Sequence, residues 1–544
     1  MPSKNDTADP VRIFRNDWSV LAPPTIGSWT PTRTVSVVIP AYNCQESLNL
    51  TLASLAHQTY PADLLEVVIA DDTSDPPIEL PKIRPANCRI VRVADHSSGW
   101  GRSNALHVGA TNSTGEIIHW LDADMVVFPQ HVEAQARWHH VSDEVVTLGH
   151  KRFVSTGWST PEEVAERCAN GTIDTLFEWD ETEPHDYVEK IIDDTDQLRG
   201  GDHLNFRAHV GATAALTRRL YEETGGLNTD LRLGEDTEFG FRLTQAGAAY
   251  VPEPKAGSWH MGPTNMMQRG EQLRRYNHPF LADLMPHPRW LRPAGNRGWK
   301  VPLVTAVVEA TDSFELVRTC VDRLLSSDLT DLRVLLVGDW DAVTEGRMSV
   351  LNDPLLERRL IAATYRSEPR VSLVAAAPET VYPSPYLLRV PVTCGVDANT
   401  VRRVVGVSDE WQVGLVRVLP PGVTSADHAV ELWRTSALSR ALRVREPGES
   451  LEKAVLSVAG ERWVSGTEFA VADLEPIPVG ELVSPPPRLV TRPAKGKKVS
   501  MAGVETIAVG GARSLAVATQ FVARRYATVA GRTLRARLGR RRSG

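Results

Sequence analysis

VSVVIPAYNCQESLNLTLASLAHQTYPADLLEVVIADD, residues 35–72, decides the fold class. Its opening, VSVVIPAY (35–42), is β-branched and almost wholly apolar, the pattern of a strand buried on both faces. SLNLTLASLAHQ (47–58) then places Leu48, Leu52 and Leu55 on one helical face, and LEVVIADD (65–72) is a second buried strand. Strand, helix and strand at this spacing predict a parallel βαβ unit. CRIVRVAD (88–95) and EIIHWLDAD (116–124) extend it into an open α/β sheet. Ligands of such sheets bind beyond the carboxyl ends of the strands. Asp71, Asp72, Asp122 and Asp124 stand at those ends and are the first candidates for chemistry.

A chain of 544 residues is too long for one hydrophobic core, so at least two domains are expected. A hydrophobic fraction of 42% and a charged fraction of 23% fit globular protein and exclude disorder throughout. The five cysteines (Cys44, Cys88, Cys168, Cys320 and Cys394) are scattered and odd in number, which argues against a disulfide framework and a zinc site. MPSKNDTADPVRIF has no apolar core of a secretory signal, and no run is long and apolar enough to cross a bilayer. The expected location is cytoplasmic, on the inner face of the cell membrane.

That membrane expectation comes from the tail. Residues 488–544 hold 14 Lys/Arg and one acid, Glu505, so the net charge of −7 divides into a tail of +13 and a body of −20. SPPPRLVTRPAKGKK is a Pro-rich, basic linker; beyond it Leu515, Ala518, Val522, Tyr526 and Val529 share one helical face, opposite Arg513, Arg524 and Arg535. A cationic amphipathic helix within 503–544 predicts attachment to an anionic membrane surface. A solvated basic tail, or a helix docked on the acidic body, is the alternative. No nucleic acid is expected as a partner, because no aromatic interleaving accompanies the charge.

The second half echoes the first. In residues 301–340, Val304, Ala306, Val308, Leu324 and Val337 follow Val35, Val37, Ile39, Leu55 and Val68 at a constant offset. HAVELWRTSALSRAL (428–442) likewise echoes HVGATAALTRRLYEETG (209–225). A duplicated α/β domain is expected, without an Asp-x-Asp strand end or a Gly-Glu-Asp segment, and therefore not catalytic. An unrelated α/β domain is the other reading.

Carboxylates at i and i+2 on a strand end, as in Leu121-Asp122-Ala123-Asp124, can both turn toward one hard cation, Mn²⁺ or Mg²⁺. Alone the motif is common in loops. In order, VSVVIPAYN, the strand ending in Asp71-Asp72, GWGRSNALHVGATNSTGE and LDAD resemble the family 2 glycosyltransferases, whose fold is GT-A. The resemblance covers about residues 33–262. It implies that Pro40, Tyr42 and Asp72 hold the base of a nucleotide-sugar donor and that Arg102 and Asn104 form a donor-site pair. It further implies that Asp122 lies near the donor sugar and the metal, and that Asp124 binds the metal. Gly234-Glu235-Asp236 opens a helix in LRLGEDTEFGFRLTQAG, where the helix N-terminus favours an ionised carboxylate. By the family pattern Asp236 is the catalytic base and Glu235 orients a sugar. Trp259-His260-Met261-Gly262, after the Pro-rich turn VPEPKAGS, is similar to the metal-histidine segment of chondroitin-polymerase-like and polypeptide-N-acetylgalactosaminyltransferase-like catalytic domains. That makes His260 a metal ligand. Gln272-Leu273-Arg274-Arg275-Tyr276 resembles the Gln-x-x-Arg-Trp string of processive synthases, with Tyr in place of Trp, but reads more readily as a charged helix face.

No phosphate loop, serine-hydrolase elbow or His-Glu-x-x-His zinc motif is present in the sequence. The expected architecture is therefore a lead-in (1–34), a catalytic GT-A domain (35–295), a degenerate α/β copy (300–480) and the basic tail (484–544). The expected activity is inverting, metal-dependent transfer from a nucleotide diphosphate sugar, UDP by the resemblance, to a glycan or lipid-linked cell-envelope acceptor. The alternative is a catalytically inactive sugar-nucleotide-binding, glycan-binding or membrane scaffold protein. The second domain would serve packing, homo-oligomer formation or acceptor binding.

Overall fold

The computed structural model describes residues 11–200, 202–293, 297–346, 349–475 and 477. The chain divides into two compact units, Met1–Glu475 and Pro476–Gly544. The basic linker and amphipathic helix expected over 484–544 lie outside the described residues, as do the first ten residues of the lead-in. No helix among the described residues is long and apolar enough to cross a membrane. The five cysteines are free thiols, as their scatter predicts.

The first sheet contains β1 (Val35–Ala41), β2 (Leu65–Asp71), β3 (Cys88–Arg92), β4 (Ile117–Leu121), β5 (Met125–Val127), β6 (Val145–Val154), β7 (Thr213–Thr217) and β8 (Ala249–Met261). Their spatial order is β3-β2-β1-β4-β7-β6-β8-β5. The first four are parallel, β7 is antiparallel to both its neighbours, and β5 is antiparallel to β8. Both faces are covered, which explains the continuous apolar runs. Val37 and Ile39 pack on Leu48, Leu52 and Leu55 on one side, while Val38, Ile118 and Trp120 pack on Phe239 and Phe241 on the other.

One local feature departs from the sequence reading. VPEPKAGS is part of a long strand, β8, rather than a turn. It accommodates its prolines by a register shift: Gly149 of β6 faces Glu253 and His150 faces Gly257, so Pro254–Ala256 bulge out of the pairing. The consequence for function is that β8 runs on to His260 beside β5. Asp122–Asp124 is the short crossing between central β4 and edge strand β5.

The second sheet comprises β9 (Val304–Glu309), β10 (Leu332–Val337), β11 (Val371–Val374), β12 (Tyr386–Arg389), β14 (Leu415–Leu419), β15 (Val430–Arg434) and β16 (Glu461–Ser465); β13 (Cys394–Val396) pairs separately with β17 (Val471–Asp473). Its order, β11-β10-β9-β12-β15-β14-β16, repeats that of the first sheet strand for strand up to β8. The chain is thus a GT-A α/β domain with a second, GT-A-like sheet. The constant offset holds for β9 but slips by two at β10: Val38 faces Val68, whereas its counterpart Val307 faces Leu335 rather than Val337. Where the first sheet has Asp122-Ala123-Asp124 before β5, the second has Pro391-Val392-Thr393 before β13. Cys394 faces Asp473 as Met125 faces His260, so the copy keeps the frame and lacks the ligand set.

The two sheets meet along a polar seam. Arg440, buried in the helix Thr435–Val444, donates to the carbonyls of Gly247, Ile13 and Arg15. Arg443 binds Glu144 and Glu223. The lead-in joins both sides: Arg12 pairs with Glu449 at 2.6 Å, the Arg15 amide donates to Val458, and Asn16 exchanges hydrogen bonds with the Tyr250 backbone.

Candidate functional site

The crossing from β4 to β5 brings Asp122 and Asp124 to His260 at the end of β8. One ligand atom from each lies within 4.8 Å of the others, a donor set that could hold a metal ion. His260 is buried, and its Nε2 is 3.7 Å from Asp124 Oδ1. Its Nδ1 lies 3.0 Å from the Gly262 carbonyl. A proton on Nδ1 satisfies that carbonyl and leaves the Nε2 lone pair facing the carboxylates, the tautomer a metal requires. Burial pushes the Asp124 carboxyl up and His260 pulls it down. Two carboxylates and one imidazole suit Mn²⁺ or Mg²⁺, with Mn²⁺ favoured by the nitrogen.

Arg102, at the start of the helix Arg102–Thr111, fixes the next layer. Its Nη2 donates to Asp122 Oδ1 at 2.7 Å and to the Gly211 carbonyl at 2.7 Å, and its Nη1 donates to Glu235 Oε1 at 2.6 Å. Gly211 allows this: a Cβ there would stand 2.6 Å from Nη1. Glu235 is 5% exposed, and burial raises its carboxyl against the pull of Arg102. Its Oε1 thus holds Arg102, and the residue also lines the cleft of Asp122 and His260. Removing the guanidinium would leave two acids facing each other without a counter-charge. Arg102→Met is expected to cost about 3 kcal/mol of stability, measured by denaturant titration, the low end for a broken ion pair because the side chain is partly exposed. A variant as stable as the parent would show that the network contributes little.

Asp236 lines the same cleft. Gly234, at φ +77°, turns the chain into the helix Glu235–Gln245, and the Thr237 amide donates to Asp236 Oδ1 at 2.7 Å. A second amide, Gly211, donates to Oδ2 at 3.3 Å. Two backbone amides thus fix the Asp236 side chain at the start of this helix. Asp122, His260 and Asp236 line one cleft of about 370 Å³.

The donor residues divide. Asp72 is buried, accepts from the Gly101 amide at 2.7 Å, and is raised by desolvation. Tyr42 is half exposed and meets Trp100 edge-on at 5.6 Å, making an aromatic wall beside Asp72 that the sequence reading lacked in Trp100. Pro40 lies in β1 opposite Ala70. Asn104 does not join the cleft: it is 2% exposed, its Oδ1 accepts from Ser97, and its Nδ2 has no partner. Its place is under the 97–101 loop. Asp71 is likewise engaged, by Arg92 and the Ser74 amide.

Several cleft residues escaped the sequence reading. Lys151 in β6 is 4% exposed. Burial lowers its ammonium to about 8, with Asp122 and Asp236 pulling upward. His185, Tyr187 and Trp290 also line the cleft. The helix Asn265–Leu284 contributes Leu273, Arg274, Asn277, His278 and Leu281, whereas Tyr276 stays outside, 5.0 Å from the Phe280 ring. The 272–276 string thus supplies a wall through Leu273 and Arg274.

Residues 36–194 match Glycosyl transferase family 2. The chain is 25% identical over 361 residues to chondroitin synthase of Escherichia coli, covering 63% of this chain and 50% of that protein. It is 24% identical over 365 residues to hyaluronan synthase of Pasteurella multocida, covering 63% and 35%. The chain therefore spans half or less of the length of these two relatives. Among solved structures, a mannosyltransferase from Pyrobaculum calidifontis in complex with GDP-Man and Mn²⁺ aligns at TM-score 0.30 and 18% identity, over 49% of this chain and 64% of that one. The strand order and the sequence match together make the segment from β1 to residue 194 a family 2 glycosyltransferase domain.

Proposed function

We propose that this protein is an inverting, metal-dependent glycosyltransferase that moves a sugar from a UDP-sugar donor to a glycan or lipid-linked cell-envelope acceptor. The convergence of Asp122, Asp124 and His260 beside a cleft that Asp236 also lines supports this reading. Asp124, His260 and Asp122 would hold Mn²⁺ or Mg²⁺, which when bound offsets the charge of a departing diphosphate. Asp72 accepts a hydrogen bond from the nucleotide base, and Tyr42 and Trp100 flank the ring. Arg102 fixes Asp122 and Glu235. Asp236 takes the proton of the acceptor hydroxyl as that oxygen attacks the anomeric carbon from the side opposite the diphosphate, which inverts the centre.

In this reading residues 35–295 are the catalytic part and 300–480 a non-catalytic copy that buttresses it. Residues 503–544 would hold the enzyme to the anionic inner surface of the membrane. The complete ligand set speaks for turnover over a purely binding or scaffold role.

The test is nucleotide release from a panel of UDP- and GDP-sugars with Mn²⁺, repeated in EDTA. Slow release of one nucleotide, abolished by EDTA, is the expected result. No release across the panel, with no nucleotide binding by calorimetry, would overturn the proposal. Product NMR should show an equatorial linkage from an axial donor.

A further inference from the structure

Lys151 is the cleft's least explained group. Its side chain is buried on β6, and among the described residues its ammonium makes no hydrogen bond or ion pair; the Phe153 ring stands 6.0 Å from it. A buried ammonium is costly unless an acceptor completes it. Arg102, by contrast, is filled by Asp122, Glu235 and a carbonyl. The metal set answers the charge of a diphosphate, so the donor does not require a further cation.

The surroundings of Lys151 suit a sugar on the acceptor side. It feels Asp236 as well as Asp122. The Phe153 ring, two residues along β6, packs on His260 at 4.8 Å and on His185 at 5.5 Å. His185 is held neutral, lowered to about 3, by burial and then by Lys151 and His260, and its Nδ1 has no partner. Tyr187 and Trp290, 45% and 69% exposed, present open rings on the same cleft, and aromatic faces bury the apolar face of a sugar while leaving its hydroxyls free.

We propose that this part of the cleft is an acceptor subsite for an acidic sugar, whose carboxylate or phosphate is taken by the Lys151 ammonium while its hydroxyl faces Asp236. The subsite rests on the glycosyltransferase reading above. Tyr187 and Trp290 hold the ring, and Lys151 selects the charge.

The test is titration of the full chain, with UDP and Mn²⁺, by methyl glucuronide, glucose 6-phosphate and methyl glucoside. The glucuronide or the phosphate is expected to bind roughly tenfold or more tightly than the glucoside, the better of the two naming the acid. In Lys151→Met that preference should fall to about twofold or less. Equal binding of all three by the unaltered protein, a comparison that needs no variant, would overturn the subsite, as would a preference that survives in Lys151→Met. UDP-sugar hydrolysis in the same samples separates the failures. Equal binding with hydrolysis intact overturns the subsite alone, and absence of hydrolysis and of nucleotide binding overturns the glycosyltransferase reading with it.

Discussion

Asp124→Ala is expected to lower Mn²⁺-dependent nucleotide release by at least about 10³-fold, several kcal/mol of transition-state stabilisation. The reason is geometric. Asp124 is the carboxylate facing His260 Nε2 at 3.7 Å, and its own carbonyl accepts from the Met261 amide at 2.8 Å, so it cannot swing away from β8. Asp122 cannot fill both places, because Arg102 holds its Oδ1 and leaves one carboxylate oxygen for the metal. The measurement is release at saturating donor, with Mn²⁺ affinity read separately by calorimetry. Metal binding and turnover should fall together. Full Mn²⁺ affinity in the variant would remove Asp124 from the ligand set.

Asp236→Asn should leave Mn²⁺ affinity within a few-fold while lowering transfer to acceptor by about 10²–10⁴-fold, the usual contribution of a general base. The amide keeps the shape of the side chain and its place at the helix N-terminus, but it cannot take a proton. Transfer is compared under single-turnover conditions with donor affinity measured alongside. A variant that transfers as fast as the parent would place the base elsewhere in the cleft. A loss confined to donor affinity would make Asp236 a binding group instead.

The parallel core was legible because strands buried on both faces must be apolar throughout, and 35–42 and 65–72 are. The carboxylates were legible because they end such strands. β8 was not: its prolines spoke for a turn, and only the bulge at Pro254–Ala256 reconciles them with a strand. Asn104 fell in a donor-site pattern, yet its burial under the 97–101 loop depends on Ser97 and on Gly99, where a Cβ would meet Asn104 at 2.7 Å. Lys151 escaped notice because lysine in a strand ordinarily marks the solvent face. Its inward turn is set by pairing with Ser258 of β8, a contact distant in sequence. The Arg102–Glu235 pair, 133 residues apart, is of the same kind.

The seam between the sheets has a practical consequence. A fragment cut near residue 295 would leave the Gly247, Ile13 and Arg15 carbonyls without the Arg440 guanidinium, and Glu144 and Glu223 without Arg443. Cutting before β1 would free Tyr250 from Asn16 and Glu449 from Arg12. Each sheet would thus expose groups whose partners come only from the other sheet or from the strip of chain before β1, so the two are expected to fold and persist as one body.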